Sequence, residues 1–229
     1  FFVKLIYECK IITIIIMHQS IYNLKKIEKE INYKKKISII AVSKTFSMEN
    51  ILPLLEYGHL DFGENKIQEA QFKWEGIKDR FPKVKLHMIG KLQTNKVKLA
   101  VKIFDYIHSL DNLKLAKKIK SEQEKINRNL KIFIQVNIGD EKQKSGVSID
   151  ELKDFYEYTK NELKINIIGL MCIPPISSDP NSVFSLMKKL KIKFGLNELS
   201  MGMSSDYLEA VEKESTFIRI GSKIFGQRN

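Results

Sequence analysis

Lys44 is the residue of this sequence whose type and position most directly suggest chemistry. It directly follows the short apolar segment 38–43, in the sequence AVSKT (41–45). Strand alternation puts it on one face with Ile40 and Val42. If that face points into a barrel, desolvation lowers the pKa of the lysine and yields an amine that attacks an aldehyde. Taken alone, Lys44 is better explained as a solvent-reaching lysine at a strand end, because lysine is abundant in this chain.

Two turns near the C-terminus favour an anion. SMGMSSD (200–206) and RIGS (219–222) both place Gly or Ser at a strand-to-helix turn, where free backbone N–H groups attract negative charge. Ser204 and Ser222 add hydroxyl groups. Either turn alone is also consistent with simple helix capping. Together, opposite a strand-end lysine, they predict a ligand that carries both a phosphate and an aldehyde.

Arg219 lies inside an apolar segment, FIRIG, of a chain with only four arginines. A guanidinium in such a place needs a partner, because an unpaired buried charge is very costly. A ring nitrogen or a phosphate oxygen of a ligand would serve. A salt bridge to a barrel carboxylate such as Glu64 is the alternative.

The elements that must position these residues alternate along the chain. Eight β-branched, apolar segments are predicted as strands: 38–43, 59–64, 84–90, 103–109, 130–138, 165–173, 197–202 and 215–221. Helices are predicted at 21–32, 48–57, 66–78, 112–127, 149–161, 182–193 and 205–212. Eight β/α repeats predict a single TIM-type (β/α)8 barrel with an extra N-terminal helix, and an open doubly wound sheet is the alternative.

Composition limits the remaining possibilities. A chain of 229 residues fits one barrel domain, expected over 17–229, and residues 1–16 are predicted to be a non-native or disordered extension before Met17. A membrane anchor there is the minor alternative, since its apolar part is too short to span a bilayer. Cys9 and Cys172 form no metal or disulfide motif, which favours a cytoplasmic protein without metal. The net charge of +12 is spread along the chain, so solvated faces are preferred over a polyanion-binding surface.

The sequence resembles the YggS/PROSC family, the pyridoxal phosphate homeostasis proteins. The similar segments run in order over nearly the whole chain from residue 37. They are AVSKT (41–45), FGENKIQE (62–69), HMIGKLQTNK (87–96), VNIGDEKQKSG (136–146), GLMCIPP (169–175), LSMGMSSD (199–206) and STFIRIGSKIFGQR (215–228). Lys91, Gly139 and Cys172 depart from the usual pattern, Lys91 at a position where proline is usual. None of the three falls in the proposed phosphate turns or at Lys44.

The resemblance implies a barrel like the N-terminal domain of alanine racemase, with pyridoxal 5′-phosphate (PLP) held as a Schiff base on Lys44. It implies that Asn65 lies near the cofactor ring or imine and that Arg219 faces the pyridine nitrogen. It implies that Ser204, Gly221 and Ser222, with backbone from Met203, hold the phosphate, and Ser200 is expected as a further cofactor-binding residue. It further implies a role in balancing PLP and amino- and keto-acid pools, without robust catalysis.

An arginine at the pyridine nitrogen weakens the ring as an electron sink, and no second, β-rich domain is expected to supply another acid or base. A PLP carrier and regulator is therefore preferred, with PLP-dependent apo-enzymes as candidate partners and a monomer as the expected state. No nucleic-acid or membrane partner is expected. A PLP-dependent racemase or lyase of the alanine-racemase fold type is the alternative, and a polyanion-binding module is a third hypothesis.

Overall fold

The structure is a computed structural model and describes residues 17–31, 37–139 and 145–227. Strands and helices alternate through these residues. The strands are β1 (Ser38–Val42), β2 (Asp61–Glu64), β3 (Lys85–Met88), β4 (Tyr106–Leu110), β5 (Lys131–Asn137), β6 (Val147–Ser148), β7 (Ile167–Met171), β8 (Glu198–Met203) and β9 (Phe217–Ile220). Each of the eight predicted strand segments therefore overlaps a strand, and the two-residue β6 is an addition.

The helices cover the outside of the strands. They are α1 (Gln19–Glu30), α2 (Met48–Tyr57), α3 (Ile67–Trp74), α4 (Ile77–Arg80), α5 (Val97–Ile103), α6 (Leu113–Lys125), α7 (Leu152–Glu157), α8 (Pro180–Lys193), α9 (Tyr207–Glu212) and α10 (Ser222–Phe225). A 3-10 turn (Thr94–Lys96) precedes α5, and a π-helical turn (Tyr158–Glu162) follows α7.

Eight of the strands close into a parallel barrel. Their order is β1-β2-β3-β4-β5-β7-β8-β9, with β9 pairing back to β1 and β4 pairing with β5. Within the residues that the structure describes, the short β6 pairs with Val136 and Asn137 at the end of β5. The predicted TIM-type barrel is confirmed, and the open-sheet alternative is wrong because the eight strands leave no free edge.

Two apolar layers explain why the strands are apolar on both faces. Inside the barrel, Ile40, Tyr106, Phe133, Met171 and Phe217 form one buried cluster. The alternate strand residues point outward and pack against the helices in a second, larger cluster. This arrangement is expected when helices surround a closed sheet. It also confirms that the face of β1 that carries Ile40 is the inner one.

Local chemistry moves several helix boundaries from their predicted places. The predicted helix 66–78 is divided into α3 and α4 by Gly76, whose φ of 70° leaves the helical region. Helix α8 begins two residues before its predicted start, because the Asp179 carboxylate accepts hydrogen bonds from the N–H groups of Asn181 and Ser182. The sequence pattern did not predict helices α5 and α10.

The predictions for residues 1–16 lie outside the described residues. Among the helices that the structure describes, none is long and apolar enough to cross a membrane. The described cysteine, Cys172, is buried as a free thiol, and burial raises its pKa to about 12.

Candidate functional site

A cavity of about 520 Å³ lies at the C-terminal ends of the barrel strands. It is the size of a pocket for a small ligand. The lining residues are Val42, Lys44, Asn65, Ile89, Ile173, Met203, Ser204, Ser205, Arg219, Gly221, Ser222 and Gln227. The structure thus brings together seven of the eight residues that the sequence proposed for the cofactor. The exception is Ser200.

A strained turn holds the backbone around Lys44. Thr45, the next residue, has a φ of 68°, which is unfavourable for a β-branched side chain. Its N–H donates to Oε1 of Glu69, and Nζ of Lys73 donates both to that oxygen at 2.9 Å and to the carbonyl of Ser43 at 2.8 Å. The backbone on both sides of Lys44 is therefore tied to helix α3.

A buried carboxylate anchors the same turn from beneath. Oε1 of Glu64 accepts hydrogen bonds from Ser43 Oγ at 2.7 Å, Lys73 Nζ at 2.9 Å and Trp74 Nε1 at 3.1 Å. The side chain of Glu64 is fully buried and that of Lys73 is 8% exposed. Removal of one partner of such a pair leaves an uncompensated buried charge. Glu64 thus serves the Lys44 turn, and its alternative role as the salt-bridge partner of Arg219 is wrong.

Asn65 is fixed by a close backbone approach. A Cβ atom placed on Gly90 would lie 2.4 Å from the carbonyl oxygen of Asn65, so only glycine fits there without a shift. In addition, the N–H of Ile89 donates to the carbonyl of Glu64 at 3.0 Å. The loop after β3 therefore packs directly on the residue that follows β2 and forms one wall of the cavity.

The two serine-containing turns lie side by side, because β8 pairs with β9. Asp206 closes the first turn: its carboxylate accepts from the N–H of Met203 at 2.6 Å, and its N–H donates to the Met203 carbonyl at 3.2 Å. Among the described residues, the backbone N–H groups of Ser204, Ser205 and Ser222 donate to no other backbone group. They and the serine hydroxyls can bind an anion in the cavity.

Arg219 is held from behind by two neutral acceptors. Its Nη1 donates to Ser200 Oγ at 2.7 Å, and its Nη2 donates to the carbonyl of Cys172 at 2.9 Å. The residue is 5% exposed. No carboxylate of residues 17–31, 37–139 or 145–227 lies within ion-pair distance of it. Because a guanidinium has five N–H donors, it keeps hydrogen-bonding capacity for a ligand.

Ser200 has a different place from the one predicted. It is fully buried behind Arg219, and its Oγ also lies 2.8 Å from Nδ1 of His108. The sequence reading missed His108 and its neighbour His87. Both are histidines inside apolar strand segments, in a chain with four histidines, and the argument used for Arg219 would have found them.

Comparison with known proteins places this site in a family. Residues 17–229 match the family described as alanine racemase, N-terminal domain. The pyridoxal phosphate homeostasis protein of Aquifex aeolicus is 38% identical over 199 residues, 83% of this chain and 86% of that protein. The protein of the same name from Escherichia coli K12 is 32% identical over 85% of this chain and 87% of its own length. This chain belongs to the pyridoxal phosphate homeostasis protein family.

Solved structures agree with this membership. The structure of PipY from Synechococcus elongatus with PLP bound has a TM-score of 0.82 and 31% sequence identity, and the match covers 91% of this chain and 100% of PipY. Alanine racemase from Clostridium difficile has a TM-score of 0.71 at 12% identity, over 92% of this chain and 57% of the racemase. The first likeness supports the family, whereas the second concerns the fold alone.

We predict that Lys73→Met destabilises the protein by about 3–5 kcal/mol, because it leaves the buried carboxylate of Glu64 without its cation. Urea unfolding measures the loss. Lys78→Met is the matched control, because its ion pair with Asp105 is 31% and 26% exposed and should contribute about 1 kcal/mol or less. The double variant Glu64→Gln/Lys73→Met should recover part of the stability. Equal losses of unfolding free energy for Lys73→Met and Lys78→Met would contradict this prediction.

We also predict that the free energy of unfolding falls as pH is lowered from 7.5 to 5.5. Burial lowers the pKa of His59, His87 and His108, although Asp61 opposes this at the first two. Below about pH 6.5 these histidines therefore bind protons in the unfolded chain but stay neutral in the folded protein. The loss is up to about 1.4 kcal/mol per histidine and pH unit.

Denaturant titrations at several pH values test this prediction. Asp and Glu side chains titrate near pH 4 when unfolded, so they contribute little in this window. A His108→Gln variant should show a shallower dependence on pH than the parent protein. A stability that is flat between pH 7.5 and 5.5 would refute the assignment of neutral buried histidines.

Proposed function

We propose that this protein binds PLP as a Schiff base on Lys44 and helps to balance the intracellular PLP pool. The observation that carries the proposal is one cavity that combines a strand-end lysine, two turns with free N–H and hydroxyl groups, and a buried arginine. Relatives named pyridoxal phosphate homeostasis protein, and the PipY structure with PLP, support it.

The cavity fits the three chemical parts of PLP. We assign the aldehyde to the amine of Lys44 and the phosphate to Ser204, Gly221 and Ser222. Met203 would line the same end of the cavity without donating, because its N–H is bound to Asp206. Arg219 would donate a hydrogen bond to the pyridine nitrogen. Asn65, on the wall formed with the Gly90 loop, would contact the ring or the imine. When bound, the cofactor supplies an electron sink for chemistry on amines.

The residues around the cavity favour holding the cofactor over turnover. An arginine stays protonated and donates to the ring nitrogen, so the nitrogen remains unprotonated and the ring stabilises carbanions poorly. Racemisation also needs an acid or base on each side of the ring. Among the described lining residues, Lys44 is the one side chain able to act as a base, and the rest are apolar, amide, hydroxyl or guanidinium groups.

We therefore propose a cofactor carrier and regulator, without robust catalysis, that exchanges PLP with PLP-dependent apo-enzymes and so affects amino- and keto-acid pools. A cytoplasmic location and a monomeric state remain predictions. A reversible Schiff base suits a carrier, because Lys44 can hold the aldehyde and release it.

Lys91 lies outside the cavity lining, beside Gln93 and Lys96 in a neighbouring surface pocket.

We expect purified protein mixed with PLP to show the visible absorbance band of a Schiff base, and Lys44→Ala to remove it. Borohydride reduction followed by peptide mapping should place the label on Lys44. Lys91→Ala is the matched control, since Lys91 is an exposed lysine in the loop after β3 and outside the cavity lining, and it should keep the band. Absence of the band in the parent protein would refute the proposed function.

The alternative function is an amino-acid racemase or lyase, suggested by the match to the alanine racemase N-terminal domain family and by the shared fold. We predict no sustained turnover of D- or L-amino acids by the PLP-loaded protein. Chiral chromatography across a panel of amino acids measures it, with Lys44→Ala as the blank. Turnover that disappears in Lys44→Ala would establish the enzyme reading and overturn the carrier reading.

A further inference from the structure

A chain of buried polar groups crosses the inside of the barrel from Arg219 to Asp61. Arg219 Nη1 lies 2.7 Å from Ser200 Oγ, and Ser200 Oγ lies 2.8 Å from His108 Nδ1. His108 Nε2 lies 3.0 Å from His87 Nδ1, and His87 Nε2 lies 3.0 Å from Asp61 Oδ1. Every link has the length of a normal hydrogen bond.

The two ends of this hydrogen-bond chain fix which group donates and which accepts in every link. A guanidinium only donates and a carboxylate only accepts. Ser200 therefore accepts from Arg219, and Nε2 of His87 donates to Asp61. A neutral His87 must then accept at Nδ1 from Nε2 of His108. His108 in turn accepts at Nδ1, which leaves the hydroxyl proton of Ser200 as the donor.

The surroundings favour two neutral imidazoles. Burial lowers the pKa of His87, and it lowers that of His108 to well below the usual value, with the nearby Arg219 cation adding to the effect at His108. Burial alone would raise the pKa of Asp61, but the hydrogen bond from His87 holds it below its usual range. The other titratable groups near these residues are His59 beside Asp61, Lys85 and Asp105 beside His87, and Cys172 and Asp206 beside Arg219.

Packing holds both rings in place. His87 stacks on Tyr106 with ring centroids 4.2 Å apart, and His108 stacks on Phe133 at 4.3 Å. Both histidines are fully buried, whereas the side chain of Asp61 is 15% exposed. The carboxylate therefore lies at the solvated end of the chain, and the cation lies at the cavity.

We infer that Ser200, His108 and His87 are positioning residues that form a one-directional hydrogen-bond chain between Arg219 and Asp61. The chain holds the guanidinium where it can donate to the ring nitrogen of the ligand. This role rests on the proposed function, because it needs PLP in the cavity. The donor-to-acceptor direction of the hydrogen-bond chain does not rest on the proposed function, since it follows from contacts within the protein.

The first test uses the ligand-free protein labelled with ¹⁵N-histidine. Long-range ¹H–¹⁵N spectra at pH 7.5 and 6.0 should show His87 and His108 neutral, each with its proton on Nε2. Variants of single histidines assign the signals, which is practical with four histidines. A proton on Nδ1 of either residue, or a second proton at pH 6.0, would overturn the inference whether or not PLP binds.

The second test measures PLP binding with matched serine variants. Ser200→Ala should weaken PLP binding by about ten-fold or more, because it leaves buried donor and acceptor groups without partners. It should also shift the ¹⁵N signals of His108, which loses its donor, and change the pH dependence of the Schiff-base band. Ser109→Ala is the control: Ser109 is buried on β4, and its Oγ has no hydrogen-bond partner within the described residues.

The outcomes separate the two proposals. If the parent protein does not bind PLP, the proposed function fails and the spectra of the ligand-free protein still decide the orientation of the chain. If the parent protein binds PLP and Ser200→Ala binds it as tightly as Ser109→Ala does, the positioning role is wrong and the proposed function stands. Weaker binding together with shifted His108 signals supports the inference, because the shift reports the hydrogen bond that Nδ1 of His108 has lost.

Discussion

Closure of the parallel sheet is the constraint on which the other features of this protein depend. Every strand residue must pair its backbone N–H and carbonyl groups, and eight parallel strands achieve this without an edge when β9 returns to β1. Closure brings the end of β1, with Lys44, beside the end of β9, with Arg219. It also places the turn after β8 next to that after β9, so residues distant in sequence form one cavity.

The closed barrel has a water-excluded interior, so polar groups buried there need hydrogen-bond partners. The apolar cluster around Phe133 and Phe217 occupies much of this space, so a buried guanidinium there is costly unless it is compensated. The compensation comes through neutral groups in series, and the carboxylate of that series, on Asp61, is separated from Arg219 by four hydrogen bonds and three intervening residues. A cation held this way remains available to a ligand instead of being neutralised by an adjacent acid.

Outside the barrel, a second polar cluster supports the other half of the site. Lys73 and the carboxylates of Glu64 and Glu69 tie the strained Thr45 turn to α3. Strain of this kind persists when surrounding contacts over-determine the backbone. The lysine and the arginine of the cavity are therefore positioned by separate networks, one on the outer face of the strands and one on the inner face.

The sequence by itself predicted the strands, the closed barrel and seven residues of the cavity lining. Strand alternation and Gly/Ser turns are local signals, and in a parallel barrel all strand ends face the same way. Only the tertiary structure decided the partners of the buried charges. Ser200 was expected at the ligand and Glu64 was weighed as the partner of Arg219, yet Ser200 lies behind Arg219 and Glu64 faces α3. The physical reason is that a hydrogen bond across the barrel joins residues as far apart as 92 positions, and its existence depends on strand stagger and side-chain direction, which no local pattern encodes.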